Sequence, residues 1–371
     1  MNFEFLIPTK LIFGDGSLSK ISENIIGNKV LIICDPIIEK IGIPEKLKKY
    51  LNGKEIIVYS NVIANPDFNT VDGAIRLATE HKVETVIGLG GGSSMDTAKA
   101  VACLTPNKGI LSDYLYNKKT VQKKRLPLVL IPTTSGTGSE CTSVGVFSDH
   151  ENNRKLPFFS PELRADAAII DPVLTYSAPS KVTAVTGIDA FTHAIESYWN
   201  ITYSPITDMI AMSACDLVLK NLPVCYREPE NSIARSNMAL ASMMGGFAFG
   251  QTKTTVIHSL SFPLADLYKV DHGIACALSL VAFIKYIYPF AKEKMDKLIN
   301  YCGYPSITEF ADTIYQMISD MNIPQKLSEV GAVKGDIEYL VEETMKFGMT
   351  NLLPVKINDK ELAGILEGIL N

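Results

Sequence analysis

The chain has no Cys-x-x-Cys pair. Its seven cysteines are an odd number scattered along 371 residues, which argues against a disulfide framework and against a structural zinc ribbon and leaves a reducing compartment as the expectation. It also lacks a charge bias: 35 Lys and Arg face 40 Asp and Glu, a formal net charge of −5. This mild acidity, spread along the chain, excludes the electrostatic footprint of a nucleic-acid or anionic-membrane binder and leaves small molecules as partners. No long apolar run is present either. The longest uncharged stretch, Ser236 to Thr252, carries Asn, Ser, Gln and glycines, is too short and polar to span a bilayer, and reads as a buried helix. Glu4 and Pro8 fall where an export signal needs a basic start and an unbroken apolar stretch, so the expectation is a cytoplasmic protein. Neither internal repeats nor low-complexity segments occur.

What is present is globular. Hydrophobic residues make up 47% and charged residues 20%, mean hydropathy is +0.14, and at about 150 residues per domain the length predicts two domains. From Lys29 to about Pro172 short β-rich runs alternate with helical stretches. Val30–Cys34, Glu55–Tyr59, Thr85–Leu89, Leu128–Ile131 and Ala167–Ile170 are apolar enough to be parallel strands buried on both faces. After Pro179 the β-rich runs cease. Val182–Tyr198, Pro205–Asn221, Ile233–Phe249 and Glu309–Met321 carry apolar residues at helical spacing. The reading is an α/β domain over residues 1–179 and an all-α domain over 180–371, divided near Ala178-Pro179-Ser180.

Three constellations carry chemistry. Thr85-Val-Ile-Gly-Leu-Gly-Gly-Gly-Ser-Ser-Met-Asp-Thr-Ala-Lys99 runs from a strand through glycines into a helix opening near Ser93. Backbone N–H groups at such a start take a pyrophosphate, favoured by the helix dipole, although a tight strand-to-helix turn also uses glycine. Asp35, ending the first strong strand, is either a turn residue or a carboxylate that bonds an adenosine ribose and repels a 2′-phosphate. Ile131-Pro-Thr-Thr-Ser-Gly-Thr-Gly-Ser-Glu140 gathers hydroxyls and glycines after another strand, a second cradle or a plain loop. In the third, Asp189 and His193 are four apart and share one helical face, which suits one ion or a hydrogen-bonded helix surface. Only five histidines occur; His258 and His272 join this group, while His81 and His150 sit in polar surroundings and read as solvated.

Together these motifs resemble the iron-containing (group III, iron-activated) alcohol dehydrogenases over nearly the whole length. The likeness is carried by Ile12-Phe-Gly-Asp-Gly16, Asn65-Pro66, Gly90-Gly-Gly-Ser-Ser-Met-Asp96, Pro132-Thr-Thr-Ser-Gly-Thr-Gly-Ser-Glu140, Ser160-Pro-Glu-Leu-Arg164, Asp171-Pro172, Gly187-Ile-Asp-Ala-Phe-Thr-His-Ala-Ile-Glu196, His258 and His272-Gly273. The resemblance implies an N-terminal Rossmann-like dinucleotide-binding domain and a C-terminal helical metal-binding domain, the dehydroquinate synthase-like fold. It implies Fe²⁺, with Zn²⁺ as the alternative, held by Asp189, His193, His258 and His272. It also implies NAD(H) contacted by Asp35, Asn65, Gly91, Gly92, Ser93, Asp96, Thr133, Thr134, Thr137 and Lys155. Hydride then passes between nicotinamide and a metal-bound short aldehyde or alcohol in a homodimeric enzyme.

Two departures from that pattern bear on substrate. Many relatives carry His-x-x-x-His-Pro, whereas this chain has His258-Ser-Leu-Ser-Phe262-Pro263, so Phe262 cannot relay a proton. A typical Asn-Pro-Arg becomes Asn351-Leu-Leu-Pro354. The aromatic replacement, with Thr252-Lys-Thr-Thr255 and Ser197-Tyr-Trp-Asn200, resembles the phosphonoacetaldehyde reductases of that family. Phe249, Lys253 and Phe262 are the expected substrate residues. Lys253, about 1.4 helical turns before His258, is expected either to pair with an anionic tail or to be a solvated lysine. The competing readings are a general short-chain (butanol- or propanediol-type) alcohol dehydrogenase, a metal-dependent cyclase or lyase of the dehydroquinate synthase-like fold, and an inactive nucleotide-binding protein.

Overall fold

The computed structural model describes residues 2–152 and 154–371. They form two units, each with its own core. The first comprises Leu6–Thr134 and Gly138–Ser177; the second comprises Ala178–Asn371 with Met1–Phe5 and Ser135–Thr137. A division at residue 179 gives residues 135–137 to the first unit, but they group with the second. Gly136 packs so closely on Thr186 that a Cβ would lie 2.7 Å from the Thr186 Cβ.

Eight strands, β1 Lys10–Phe13, β2 Lys29–Ile33, β3 Glu55–Tyr59, β4 Thr85–Gly90, β5 Leu128–Pro132, β6 Val144–Asp149, β7 Arg154–Phe159 and β8 Ala167–Ile170, all lie in the first unit. Six build one parallel sheet in the order β1-β8-β5-β4-β2-β3, and β6 and β7 form an antiparallel pair. All five strands expected from apolar runs are present, to within a residue or so. The three additional ones lack that signature, for β1 is an edge strand exposing Leu11 and Phe13, and β6 and β7 mix buried with less buried residues. Alternate residues of the central strands feed two cores. Leu31, Ile33, Val86, Leu128 and Leu130 pack on one face, and Val30, Ile32, Ile87, Leu89, Val129 and Ile131 on the other. Five helices join the strands: α1 Pro36–Lys40, α2 Ile43–Lys48, α3 Phe68–Glu80, α4 Gly92–Leu104 and α5 Leu111–Leu115. The chain runs from β2 outward to β3 and then returns to β4 on the other side of β2. The carboxyl ends of β2 and β4 therefore flank a topological switch point, where open α/β sheets bind ligands.

In the second unit every described α-helix or strand is helix. Its helices are α6 Ser180–Trp199, α7 Pro205–Arg227, α8 Ser232–Thr252, α9 Val256–Tyr268, α10 His272–Ile287, α11 Lys292–Tyr301, α12 Ile307–Asp320, α13 Ile337–Met345 and α14 Asp359–Gly368. One apolar core runs through them. Glycines let α6 approach its neighbours: a Cβ on Gly187 would fall 2.3 Å from Leu222 Cδ1 of α7, and one on Gly273 of α10 would fall 2.0 Å from the Val185 carbonyl oxygen. The uncharged run ending at Thr252 is buried in α8, as expected. By length and composition α7 and α10 with the turn after it are apolar enough to cross a membrane. Both contribute to this core.

Candidate metal centre and cofactor cradle

Helix α6 carries Asp189 and His193 on one face, α9 carries His258 in its first turn, and α10 opens with His272. The Asp189 Oδ1 is the focus. It lies 3.5 Å from His258 Nε2, 3.7 Å from His272 Nε2 and 3.7 Å from His193 Nδ1. Asp189 Oδ1, His258 Nε2 and His193 Nδ1 are all buried with no hydrogen-bond partner. Orphaned buried polar atoms are costly, and several converging on one point fit a cation. The four expected ligands are thus brought together, with one qualification. The tightest set, with donors all within 4.8 Å of one another, contains Asp189, His258, His272 and Cys276, while His193 approaches through Asp189 and stacks on His258 at 4.4 Å.

Each imidazole is held from behind. His258 Nδ1 pairs with Glu196 Oε2 at 2.5 Å, and Glu196 Oε1 accepts from Thr255 Oγ1 at 2.5 Å and from the Ile257 N–H at 2.7 Å. This carboxylate–histidine pair fixes the ring so that Nε2 faces Asp189. His272 Nδ1 meets Ser261 Oγ at 3.3 Å, and the His193 ring bonds the Gly136 backbone. Burial opposes ionisation of Asp189, but His193, His258 and His272 outweigh it and hold its carboxyl well below the usual range. Burial pushes His193 down to about 4, so at neutral pH its ring is an unprotonated donor. For His258, burial is overcome by Glu196 and Asp189, which raise it to about 9. A divalent ion held by Asp189 and His258 would take the place of that proton in the same field.

Sequence reasoning missed Glu196 as a functional residue, although it is seven residues after Asp189 on the same face of α6, and it missed Cys276 and Ser261. Phe249 stacks on His193 at 4.1 Å, and Phe262 lies 6.0 Å from the His272 ring and 5.0 Å from Phe347, an aromatic neighbour not foreseen. Lys253 is a correction. It is not on a helix leading to His258: α8 ends at Thr252, and Lys253 caps it with φ +66° and ψ 174° before α9 begins at Val256. Its side chain is exposed. Asn200 Nδ2 holds the turn through the Thr252 and Lys253 carbonyls. His150 is largely exposed, as expected, and His81 is half-buried at the end of α3.

In the sheet unit the glycine turn sits at the switch point. Gly91 precedes α4 without any side-chain cap, leaving the first N–H groups of that helix for an anion. Gly90 adopts φ +146°, and a Cβ there would strike Ser94 Oγ at 2.6 Å. Asp35 serves twice. Its Oδ1 caps α1 by accepting from the Ile37 and Ile38 N–H groups at 2.9 and 3.0 Å, while Oδ2 comes 3.4 Å from where a Gly90 Cβ would stand. Asn65, with φ +54°, donates its N–H to Ser93 Oγ. Thr133 is buried and donates its N–H to the Gly90 carbonyl, and the Thr134 hydroxyl lies 3.4 Å from where a Gly91 Cβ would stand. Asp96 Oδ1 accepts from Ser139 Oγ and its Oδ2 from the Val146 N–H, with Lys99 Nζ 3.5 Å away, so it braces the loop as well. Lys155 is buried on β7, opposite Ser148 of β6. Thr137 groups with the helical unit.

Comparison with known proteins agrees with this geometry. Residues 8–172 match the family model described as iron-containing alcohol dehydrogenase, and residues 183–370 match the C-terminal model of the Fe-containing alcohol dehydrogenase family. The long-chain-alcohol dehydrogenase 1 of Geobacillus thermodenitrificans is 35% identical over 85% of this chain and 83% of its own. The sulfoacetaldehyde reductase of Bilophila wadsworthia is 32% identical over 91% of each. The crystal structure of sulfoacetaldehyde reductase from Bifidobacterium kashiwanohense in complex with NAD⁺ superposes with a TM-score of 0.95 at 31% identity, covering 100% of this chain and 99% of that one. The chain belongs to the iron-containing alcohol dehydrogenase family.

Proposed function

We propose that this chain is an NAD(H)-linked, metal-dependent reductase of short aldehydes, with aldehydes bearing an anionic tail, phosphonoacetaldehyde and its sulfonate analogue, as its best substrates. The observation that carries the reaction class is the convergence of two buried, unpartnered imidazole nitrogens, His193 Nδ1 and His258 Nε2, on the equally unpartnered Asp189 Oδ1. When bound, a divalent ion supplies Lewis-acid polarisation of a carbonyl and the nicotinamide supplies a hydride. Asp189, His193, His258 and His272 would hold the ion, Fe²⁺ by family and Zn²⁺ by donor chemistry. Gly91, Gly92 and Ser93 would bind the pyrophosphate at the α4 N-terminus, and Asp35 Oδ2 the ribose. Phe249 and Phe262 give the histidines apolar neighbours that exclude water. Phe262 has no proton to give, so the alkoxide oxygen takes its proton from water or a ribose hydroxyl.

The anionic-tail reading is supported by Lys253, whose ammonium has no ion-pair partner among the described residues, and by the sulfoacetaldehyde reductases among the relatives. Because Lys253 is exposed, its gain is that of a surface ion pair, up to about 1 kcal/mol or roughly fivefold. The cyclase alternative loses its ground with the family assignment, and no ligand expected of an active member is missing. A cytoplasmic site is supported by seven free, buried thiols, and a homodimer by the apolar edge strand β1. The test is NADH absorbance, without air and with Fe²⁺ loaded, against neutral, phosphonate-bearing and sulfonate-bearing aldehydes of equal length. Higher kcat/KM for the anionic aldehydes, erased in Lys253→Met, is the expected result. Equal or better neutral aldehydes would overturn the substrate assignment and leave the reaction class standing.

A further inference from the structure

Trp199 is the only tryptophan in the chain, and the reaction described above gives it no part. It closes α6 three residues after Glu196, so the two side chains are neighbours on one helical face. Its indole Nε1 lies 2.9 Å from the hydroxyl of Thr255, the residue that precedes α9. An indole nitrogen can only donate, so Thr255 Oγ1 accepts from it and keeps its own proton for Glu196 Oε1, 2.5 Å away. Glu196 Oε2 in turn takes the Nδ1 side of His258 at 2.5 Å. With Nδ1 committed to that carboxylate, Nε2 is the nitrogen left to meet an ion, 3.5 Å from Asp189 Oδ1. Trp199, Thr255, Glu196 and His258 are all at most 4% exposed, so bulk water does not compete for these bonds. The end of α6 also grips the chain entering α9. Ser197 Oγ lies 3.0 Å from Thr252 Oγ1, and Asn200 Nδ2 donates to the Thr252 and Lys253 carbonyls.

We propose that Trp199 is a positioning residue for the metal centre, acting through Thr255 and Glu196 to hold His258 in its ligating orientation. The proposal rests on the metal-centre reading of Asp189, His193, His258 and His272. The indole touches neither ion nor substrate. Its N–H fixes the rotation of the Thr255 hydroxyl, that hydroxyl fixes one oxygen of Glu196, and the other oxygen fixes the imidazole. Packing alone would not require this order, because a phenylalanine also fills an aromatic site and carries no donor.

The test reads zinc binding by the full chain, in competition with a chromophoric chelator and without turnover. Trp199→Phe, which deletes the donor and keeps a ring, should weaken zinc by about two- to tenfold, the worth of one neutral hydrogen bond. Thr255→Val should weaken it by about tenfold or more, and Thr255→Ser, which keeps the hydroxyl, should bind as the wild type does. Combining Trp199→Phe with Thr255→Val should weaken zinc no further than Thr255→Val alone, because the indole acts through that hydroxyl. In wild type carrying ¹⁵N-tryptophan, the single indole N–H resonance should shift when one equivalent of Zn²⁺ binds. Wild-type affinity in Trp199→Phe, additive losses in the double variant, or an indole resonance that bound zinc does not move would each overturn the role of Trp199 and leave the metal centre intact. A wild type that binds no zinc would overturn both. The indole resonance of the wild type decides the matter even if a variant fails to fold.

Discussion

The two units prepare for charge in opposite ways. In the helical unit, side chains from three helices converge on Asp189, and Asp189 Oδ1, His193 Nδ1 and His258 Nε2 are left without a hydrogen-bond partner. In the sheet unit, the anion site is backbone, the open N–H groups of α4 behind a glycine turn that admits no Cβ at Gly90. A side-chain site is therefore lost by a single substitution, whereas a backbone site is lost only when the turn itself is rebuilt.

The sharpest way to break that contrast is His258→Ala. It removes one ligand and the neighbour that Glu196 steers, and turnover should fall by about 10²–10⁴-fold, the worth of several kcal/mol of Lewis-acid stabilisation. NADH binding, followed by fluorescence, should stay unchanged because its cradle lies in the other unit; a matching loss of NADH affinity would show that the two sites are not separable. Next comes Glu196→Gln, which keeps the shape but removes the charge that orients His258. Metal affinity should fall by about 10- to 100-fold by competition titration, with the glutamine variant folding normally. No change would reduce Glu196 to a packing residue.

The metal centre was legible in proportion to how locally it is encoded. Asp189 and His193 can be read from four-residue spacing on one helix, but His258 and His272 come from other helices, and only the scarcity of histidine and the resemblance join them to the pair. Cys276 has the same four-residue spacing from His272, yet a count of cysteine pairs passes over a thiol that partners a histidine. Lys253 was misplaced because counting about 1.4 turns back from His258 takes the two to share one helix, whereas the backbone at Lys253 turns through a conformation with φ +66°. Among strands, β2, β4, β5 and β8 announce themselves by burial on both faces, whereas β3, expected to be buried in the same way, is an edge strand of half-buried and exposed residues. The edge strand β1 is hidden by the exposure of three of its four residues.

Smaller effects sharpen the sheet side. Asp35→Ser keeps a helix cap for α1 while deleting the charge near Gly90. The kcat/KM preference for NADH over NADPH should drop on the order of tenfold, about 1.4 kcal/mol; a native preference for NADPH would refute the role of Asp35. Glu140 is fully buried, and burial raises its carboxyl to about 7. Its folded value thus lies above the unfolded one, so its contribution to stability is complete at acid pH and is lost as pH rises through about 7. Glu140→Gln, which cannot ionise, should gain in Tm relative to the wild type as pH goes from about 5 to 8; parallel curves would contradict it. Lys253→Gly should raise stability by about 1 kcal/mol, because only glycine adopts that backbone region without strain. Lys253→Met removes the charge alone and Lys253→Gly removes charge and strain together, so the two variants compared separate strain from charge.

The most direct test of the central claim is NADH consumption by the wild-type chain before and after chelation, with bound metal counted in the same samples. The account predicts stoichiometric oxidation of NADH by aldehyde in the loaded protein, loss of turnover as the ion is stripped, and recovery when one equivalent of Fe²⁺ or Zn²⁺ is returned. Full turnover by protein shown to hold no metal would contradict it.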